Sequence, residues 1–149
     1  MTDVPDPDEL ARRCADVMWS ADRASQHLGM RIVEIGAGRA RLSMRVTELM
    51  VNGWDLCHGG YLTTLADSAF AFACNTYDDV TVASGLDITF VASARLGDEL
   101  TADAVERTRR GRSGLYDVRL TRSDVDGAAE VVAEMRGRSR SVGRPILLS

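Results

Sequence analysis

Two stretches of the chain space their apolar residues as helices do. In the first, the apolar residues recur three and four positions apart, at Leu10, Cys14, Val17, Met18 and Ala21. Charged residues occupy the other faces, so this stretch predicts an amphipathic helix that ends near Gly29. The second stretch, 61–74, is apolar almost all round, which is typical of a helix buried on most sides.

Other stretches alternate apolar and polar residues or form β-type runs. They predict strands at 30–35, 39–46, 80–91, 100–109, 115–123 and 128–142. Turn residues separate these strands at 36–38, 95–98, 110–114 and 124–127. The segment 47–57 is irregular, with Asn52-Gly53 as a turn signal, and leads directly into the second helix. The predicted order is helix, two strands, buried helix and four strands.

This order predicts a single α+β domain. One apolar helix and an antiparallel set of strands can bury both apolar surfaces if the sheet curls around the helix. A length of 149 residues allows a substantial core and is short for two domains. The acidic stretch 1–8 holds two of the three prolines, so we expect a loose tail there.

The composition narrows the functional classes. A net charge of −4 argues against a general nucleic-acid binder. An odd count of three cysteines without paired spacing is typical of a reducing compartment, and the first residues lack the pattern of a signal peptide. No apolar run reaches membrane-spanning length. We therefore expect a cytoplasmic protein with neither a nucleic-acid nor a membrane partner.

The histidines and cysteines predict neither a metal site nor a thiol nucleophile. The two histidines, His27 and His58, lie far apart, and no cluster of His, Cys and Asp has the spacing of metal ligands. Cys57 precedes His58, but adjacent side chains usually point apart and no third group is present to orient the pair. We expect no metal and no cofactor.

Asp67 is anomalous within the buried helix. Burying an unpaired charge costs far more free energy than the differences in helix propensity between residues. No Lys or Arg lies within two turns of Asp67 to pair with it. Hydrogen bonds from the backbone, or from the hydroxyls of Thr63 and Thr64 on the same face, could satisfy the carboxylate. We favour a catalytic carboxylate, since functional sites are where such groups are retained.

The start of this helix supplies the complementary chemistry. Gly59 and Gly60 stand where the first free backbone N–H groups point outward, and these amides and the helix dipole favour an anion or a developing oxyanion. Glycine also lets a ligand approach the backbone closely. Gly59 and Asp67 lie about 12 Å apart along one helix, too far to act on the same carbonyl group. Two copies that pair their helices antiparallel would bring the amide of one to the carboxylate of the other.

These residues resemble a known family. Asn52-Gly53, His58-Gly59-Gly60, Leu65-Ala66-Asp67 and the small-residue run 69–75 are similar to the hotdog-fold acyl-CoA thioesterases, specifically the phenylacetic-acid-degradation branch. The similarity extends from the first helix to about residue 142. It implies the hotdog topology and dimers whose sheets join edge to edge, so we expect a homodimer or homotetramer with its site at the interface.

The resemblance also implies roles for individual residues. It places His58 near the thioester carbonyl, although His58 could simply shape the turn into the helix. It places Asn52 where it orients the reacting group or water, although Asn52 could simply form the turn. Similar enzymes hold water with a Ser or Thr on the strand facing the partner's site, which suggests Ser84, with Thr81 and Asp87 as rivals if the alignment slips by one.

The basic residues of one predicted turn are candidate coenzyme A ligands. Arg109, Arg110 and Arg112 could contact its phosphates, although runs of charge usually form a solvated hairpin tip.

The function implied is hydrolysis of an acyl-CoA, with aryl-acyl groups such as phenylacetyl as candidate substrates. Asp67 would act as general base or as nucleophile, and the residues do not separate these roles. A hotdog hydratase or dehydratase, which uses a catalytic histidine with a carboxylate, is an alternative. A non-catalytic acyl-CoA-binding regulator is another. The position of His58 directly before Gly59-Gly60 fits the thioesterase better.

Overall fold

The computed structural model of the chain describes residues 4–123 and 127–148. Its helices are α1 (Pro7–Ala21), α2 (Arg23–His27) and α3 (Gly59–Cys74), with a short 3-10 helix at Glu48–Met50. Its strands are β1 (Arg31–Gly36), β2 (Arg39–Arg45), β3 (Thr81–Phe90), β4 (Glu99–Arg110), β5 (Ser113–Ser123) and β6 (Ala129–Ser141). Most of the predicted turn at 124–127 lies outside the described residues.

The strands form one antiparallel sheet in the order β1-β2-β4-β5-β6-β3. Helix α3 contacts every strand, so the sheet curls around it as the hydrophobic pattern predicted. The alanines that α3 turns toward the sheet, Ala66, Ala69 and Ala73, are completely buried. Because these side chains are small, the helix lies close to the strands and its apolar surface is removed from water.

A close fit between α3 and the sheet occurs at Gly137 on β6. A Cβ atom built at this glycine would lie 2.8 Å from ring atoms of Phe70, which is closer than real Cβ contacts allow. The same ring packs against Tyr116 of β5 at 5.4 Å between centroids. Gly137 is therefore the recess in the sheet that receives Phe70, and it sets how deeply α3 sits.

The N-terminal region is more ordered than the sequence predicted. Helix α1 begins at Pro7, so Pro7 and Asp8 are helical and the loose tail does not extend to residue 8. Asp6 caps the helix, and proline is favoured in the first turn because its missing N–H has no partner there anyway. Asp8 accepts a hydrogen bond from the backbone N–H of Ala37 at 2.8 Å, which ties the helix to the β1–β2 turn.

The first predicted helix is also broken near its end. Asp22 adopts a non-helical conformation, and its carboxylate caps the separate helix α2 by accepting from the N–H of Ser25 at 2.9 Å. Such local bonds from Asp to the backbone compete with helix continuation. The residue spacing did not reveal this break.

Strand β3 forms one edge of the sheet and is exposed along much of its length. Val82 and Phe90 are 49% and 51% exposed. An edge strand presents unpaired backbone groups, and a long exposed edge with apolar side chains is a template for pairing with another chain.

The fit at Gly137 gives a stability prediction. Gly137→Ala should destabilise the protein by about 1–3 kcal/mol, because the new methyl group overlaps the Phe70 ring. The shift in the urea unfolding midpoint measures the loss. Gly53→Ala is the matched control, since a Cβ at Gly53 meets no atom within 4 Å. In a Phe70→Leu background the cost of Gly137→Ala should shrink, and an unchanged cost would contradict the assigned contact.

Candidate active site

His58 is the N-cap of α3, and its side chain binds one of the backbone N–H groups at the start of the helix. Its Nδ1 accepts a hydrogen bond from the Gly60 N–H at 2.9 Å, so Nδ1 is unprotonated and a neutral ring carries its proton on Nε2. The Gly60 amide is thereby occupied and is not a second free donor. No acceptor contacts the Gly59 N–H among the described residues, which leaves this amide as the available donor at the helix start.

Gly59 lies under the ring of Phe90 from β3. A Cβ at Gly59 would approach ring atoms of Phe90 to 2.9 Å, so the strand end and the helix start are in close contact. The absence of a side chain at Gly59 both permits this contact and leaves the amide accessible. Helix dipole and amide together make this point favourable for negative charge.

Asn52 lies in the loop beside the helix start. Its side-chain oxygen accepts hydrogen bonds from the N–H groups of Trp54 at 2.9 Å and Leu56 at 3.2 Å. The His58 N–H donates to the carbonyl of Met50 at 2.7 Å, which holds the loop against α3. Asn52 is thus a turn former through its oxygen, while its side-chain NH₂ has no acceptor within the described residues.

Asp67 lies on an open apolar groove. The groove has a volume of about 620 Å³, and its lining combines α1, α3, the start of β3 and the segment 144–148. The carboxylate has no hydrogen-bond or ion-pair partner in the part of the chain that the structure describes. Thr63 and Thr64 donate instead to the carbonyls of Gly59 and Gly60, each at 2.8 Å, so they do not satisfy it.

Burial raises the pKa of the Asp67 carboxyl above its ordinary value. The cause is desolvation, which penalises the charged form when no donor compensates. A carboxylate with a raised pKa is a stronger base, and its pKa lies closer to neutral pH, where a general base is most effective.

Ser84 is the extra residue of a β-bulge in β3. The register shifts between Ala83 and Gly85, and the Ser84 hydroxyl donates to the carbonyl of Arg138 at 3.1 Å. Its oxygen keeps lone pairs for a further donor. Ala83, its neighbour, lines the groove that contains Asp67, so the structure places Ser84 near that groove.

The two rivals to Ser84 already have partners. The Thr81 hydroxyl donates to the carbonyl of Asp79 at 2.9 Å, and Asp87 accepts from Arg138 at 2.6 Å. The Ser84 hydroxyl also has a backbone carbonyl partner, and of these three residues Thr81 is the one that lines the groove.

The predicted site residues form two groups in one chain. Asn52, His58 and Gly59 lie together at the start of α3, whereas Asp67 lines the groove and Ser84 follows the lining residue Ala83 on the exposed strand β3. Gly59 and Asp67 are separated by eight residues within α3, or about 12 Å at the helical rise. Within a single chain the Gly59 amide and the Asp67 carboxylate are therefore too far apart to contact the same carbonyl group.

The arginine turn is remote from the helix start. Arg109 and Arg110 end β4, and Arg112 lies in the turn to β5, where the strands meet the C-terminal end of α3. The Arg109 guanidinium stacks 3.5 Å from the centre of the Tyr77 ring and lies 3.5 Å from Glu106. All three arginines are exposed.

Sequence reasoning did not find the groove itself. Its walls include Val17, Met18 and Ala21 of α1, which the pattern marked only as a helix face, and the segment 144–148, which the predicted elements left out. The unpaired Asp67 was the one sequence signal pointing to it. Cys57 is buried, and burial raises its thiol pKa to about 11, so it is not poised as a nucleophile.

The family model of the thioesterase superfamily matches residues 55–129. The acyl-coenzyme A thioesterase PaaI of Escherichia coli is 39% identical over 132 residues, covering 89% of this chain and 91% of that protein. The chain belongs to the thioesterase superfamily. A putative esterase of Archaeoglobus fulgidus is 32% identical, covering 72% of this chain and 70% of its own length.

Solved structures of related proteins have the same architecture. The Escherichia coli PaaI protein from the phenylacetic acid degradation operon superposes with a TM-score of 0.87 at 36% identity, covering 93% of this chain and 97% of that one. A mutant of the phenylacetic acid degradation protein PaaI from Thermus thermophilus gives a TM-score of 0.74 at 28% identity, covering 80% and 98% of the two chains. The predicted hotdog fold and the predicted enzyme class, a thioesterase, are confirmed.

Neither a membrane-spanning helix nor a cluster of metal ligands occurs among the described residues. No helix there combines the length and hydropathy needed to span a membrane. No group of three His, Cys, Asp or Glu side chains in the described ranges is arranged to hold a metal ion.

Proposed function

We propose that this thioesterase hydrolyses acyl-CoA thioesters to the free acid and coenzyme A. The observation that carries the proposal is the uncompensated carboxylate of Asp67 on an apolar groove, since such a costly group is retained where chemistry uses it. The named activity of the Escherichia coli relative, an acyl-coenzyme A thioesterase, supports the choice of substrate class.

The complete site requires two protomers. An antiparallel pairing of two α3 helices about a two-fold axis brings the Gly59 amide of one protomer to Asp67 of the other, and the symmetry creates two equivalent sites. The exposed edge of β3 supports this assembly, because two such edges can pair and continue the sheet. We propose a homodimer as the catalytic unit, which can pair again into a tetramer.

In the proposed reaction the Gly59 N–H donates to the thioester oxygen as it becomes negatively charged. As general base, the partner's Asp67 takes a proton from water while the water oxygen bonds to the carbonyl carbon. The resulting intermediate collapses, the carbon–sulfur bond breaks, and the sulfur leaves with the proton as the coenzyme A thiol. As nucleophile, Asp67 would instead bond to the carbonyl carbon while the carbon–sulfur bond breaks and coenzyme A leaves as its thiolate. Water would then hydrolyse the mixed anhydride, which releases the free acid, restores the Asp67 carboxylate and supplies the proton that the thiolate takes up.

The other predicted residues have supporting roles in this scheme. His58 holds the helix start in shape through its cap and presents Nε2–H outward near the Gly59 amide. The free side-chain NH₂ of Asn52 lies at the same end and can orient the reacting group. Ser84 has hydroxyl lone pairs beside the groove, where it can hold the water.

The acyl group is proposed to be an aryl-acyl group of the phenylacetyl type. The groove beside Asp67 is lined mainly by apolar residues, including Val17, Met18 and Ile146, which suits an aromatic acyl group. The connection of both PaaI relatives with phenylacetic acid degradation supports this choice. The exposed Arg109, Arg110 and Arg112 are proposed ligands for the coenzyme A phosphates. A cytoplasmic location remains a prediction from the sequence.

Thiol release from a panel of acyl-CoAs tests the function, and Asp67→Asn tests the mechanism. The substitution keeps the volume of the side chain and removes its negative charge. We therefore expect kcat to fall about 10²–10⁴-fold while the melting temperature is retained or rises. Asp16→Asn is the matched control, because it removes the charge of an exposed carboxylate on another helix, α1. A folded Asp67→Asn protein with near wild-type kcat would refute the catalytic role.

Gly59→Pro tests the oxyanion donor. Proline removes the one N–H that the mechanism uses, at the helix position where proline is best tolerated, and the extended conformation of His58 suits a following proline. Gly59→Ala is the control, since it adds the same clash with Phe90 but keeps the N–H. We expect the kcat of Gly59→Pro to be about 10²–10³-fold lower than that of Gly59→Ala. Equal kcat values in these two variants would exclude the Gly59 amide from catalysis.

Mixed dimers test the shared site. Asp67→Asn and Gly59→Pro protomers, unfolded and refolded together in equal amounts, should form hybrids in which one site receives an intact Gly59 and an intact Asp67. The mixture should recover about a quarter of wild-type activity, because half of the dimers are hybrids with one intact site each. A mixture no more active than its two inactive components would place both groups in one chain.

A further inference from the structure

The groove beside Asp67 is partly walled by a segment that lies outside the helices and strands. Arg144, Pro145, Ile146 and Leu148 line it opposite residues of α1 and α3. The segment 144–148, the strap, follows β6 after a turn at Gly143, which has a positive φ of 76°. Glycine adopts this conformation without strain, so the chain can leave the sheet and run back over the groove.

Asp78 holds the strap in place. Its carboxylate oxygen Oδ1 accepts hydrogen bonds from the backbone N–H groups of Ile146 at 2.9 Å and Leu147 at 2.7 Å. The Val80 N–H donates to the carbonyl of Arg144 at 2.8 Å, which fixes the start of the strap. Hydrogen bonds from backbone N–H groups to a carboxylate are charge-assisted and stronger than neutral ones.

The strap depends heavily on these bonds. Arg144, Pro145 and Leu148 are exposed, and Ile146 and Leu147 are only half-buried, so no side chain of the strap is fully buried against the core. Segments with few buried contacts have low local stability. Asp78 itself adopts a positive φ of 54°, a conformation that only Asn, Asp and a few other non-glycine residues accept readily.

We propose that the strap is the wall that determines acyl-group specificity, with Ile146 as the contacting side chain and Asp78 as its positioning residue. This rests on the proposed function, because the groove is the acyl site only if Asp67 attacks the thioester carbon there or activates the water that does. The size of the side chain at 146 then limits the apolar acyl group that fits beside Asp67. Small changes of volume in an apolar pocket alter substrate discrimination by about 10–200-fold.

The test compares kcat/KM for phenylacetyl-CoA and acetyl-CoA. Ile146→Trp fills the groove, so the ratio of phenylacetyl-CoA to acetyl-CoA activity should fall at least about tenfold, mainly through the larger substrate. Ile146→Ala should move the preference toward acyl groups larger than phenylacetyl. Val33→Trp is the control for bulk, since Val33 is 56% exposed and lies on the opposite edge strand, β1.

Asp78 variants test the positioning role. Asp78→Ala removes the acceptor, whereas Asp78→Asn keeps an oxygen at Oδ1 and tolerates the positive φ. Hydrogen exchange at the amides of Ile146 and Leu147 should accelerate in Asp78→Ala and stay slow in Asp78→Asn, and the substrate ratio should change only in Asp78→Ala. This pair keeps the proposal testable if Ile146→Trp fails to fold.

The two kinds of failure are distinguishable. If the wild-type protein releases no thiol from any acyl-CoA, the proposed function is wrong and the specificity proposal falls with it. If the wild type is active but the ratio stays unchanged in folded Ile146→Trp and in Asp78→Ala, the specificity proposal alone is wrong.

Discussion

The fit of the Phe70 ring into the recess at Gly137 is the contact on which the rest of this structure depends. It brings α3 to the sheet at a distance that any side chain at 137 would increase. A second fit, between Gly59 and the ring of Phe90, fixes the start of the same helix. With both positions set, the rotation of α3 is determined, and Asp67 is directed to the groove instead of the core.

That rotation explains why a carboxylate survives on an otherwise apolar helix. Asp67 lies on the half-buried face of α3 that lines the groove, so the charge is partly hydrated but gains no donor from the described part of its own chain. The unfavourable desolvation that raises its pKa is also what makes it useful as a base. The free Gly59 amide is the matching feature at the helix start, and the length of α3 between them is the physical reason for proposing a shared site.

The groove itself is held open by polar anchors on two sides. On one side Asp22 binds Ser25, whose hydroxyl lies 3.0 Å from that of Ser68, the residue after Asp67, so the end of α1 is tied to α3. On the other side Asp78 holds the amides of the strap. Both anchors use short side chains bonded over short distances, so they fix the positions of the groove's apolar walls.

The hydrophobic pattern by itself determined the fold class, the order of the main elements and the anomaly of Asp67. The reason is that the spacing of apolar residues within each segment sets both its secondary structure and the face that it buries. The motif around His58 and Gly59 also identified the family. Local sequence could not show that Asp22 breaks the first helix, that His58 occupies the Gly60 amide, or that Thr63 and Thr64 bond to the backbone rather than to Asp67. Those outcomes depend on competition between alternative hydrogen bonds. The groove and its strap were decided only by tertiary structure, since α1, α3, β3 and residues 144–148 are distant in sequence and meet only after the sheet has curled around the helix.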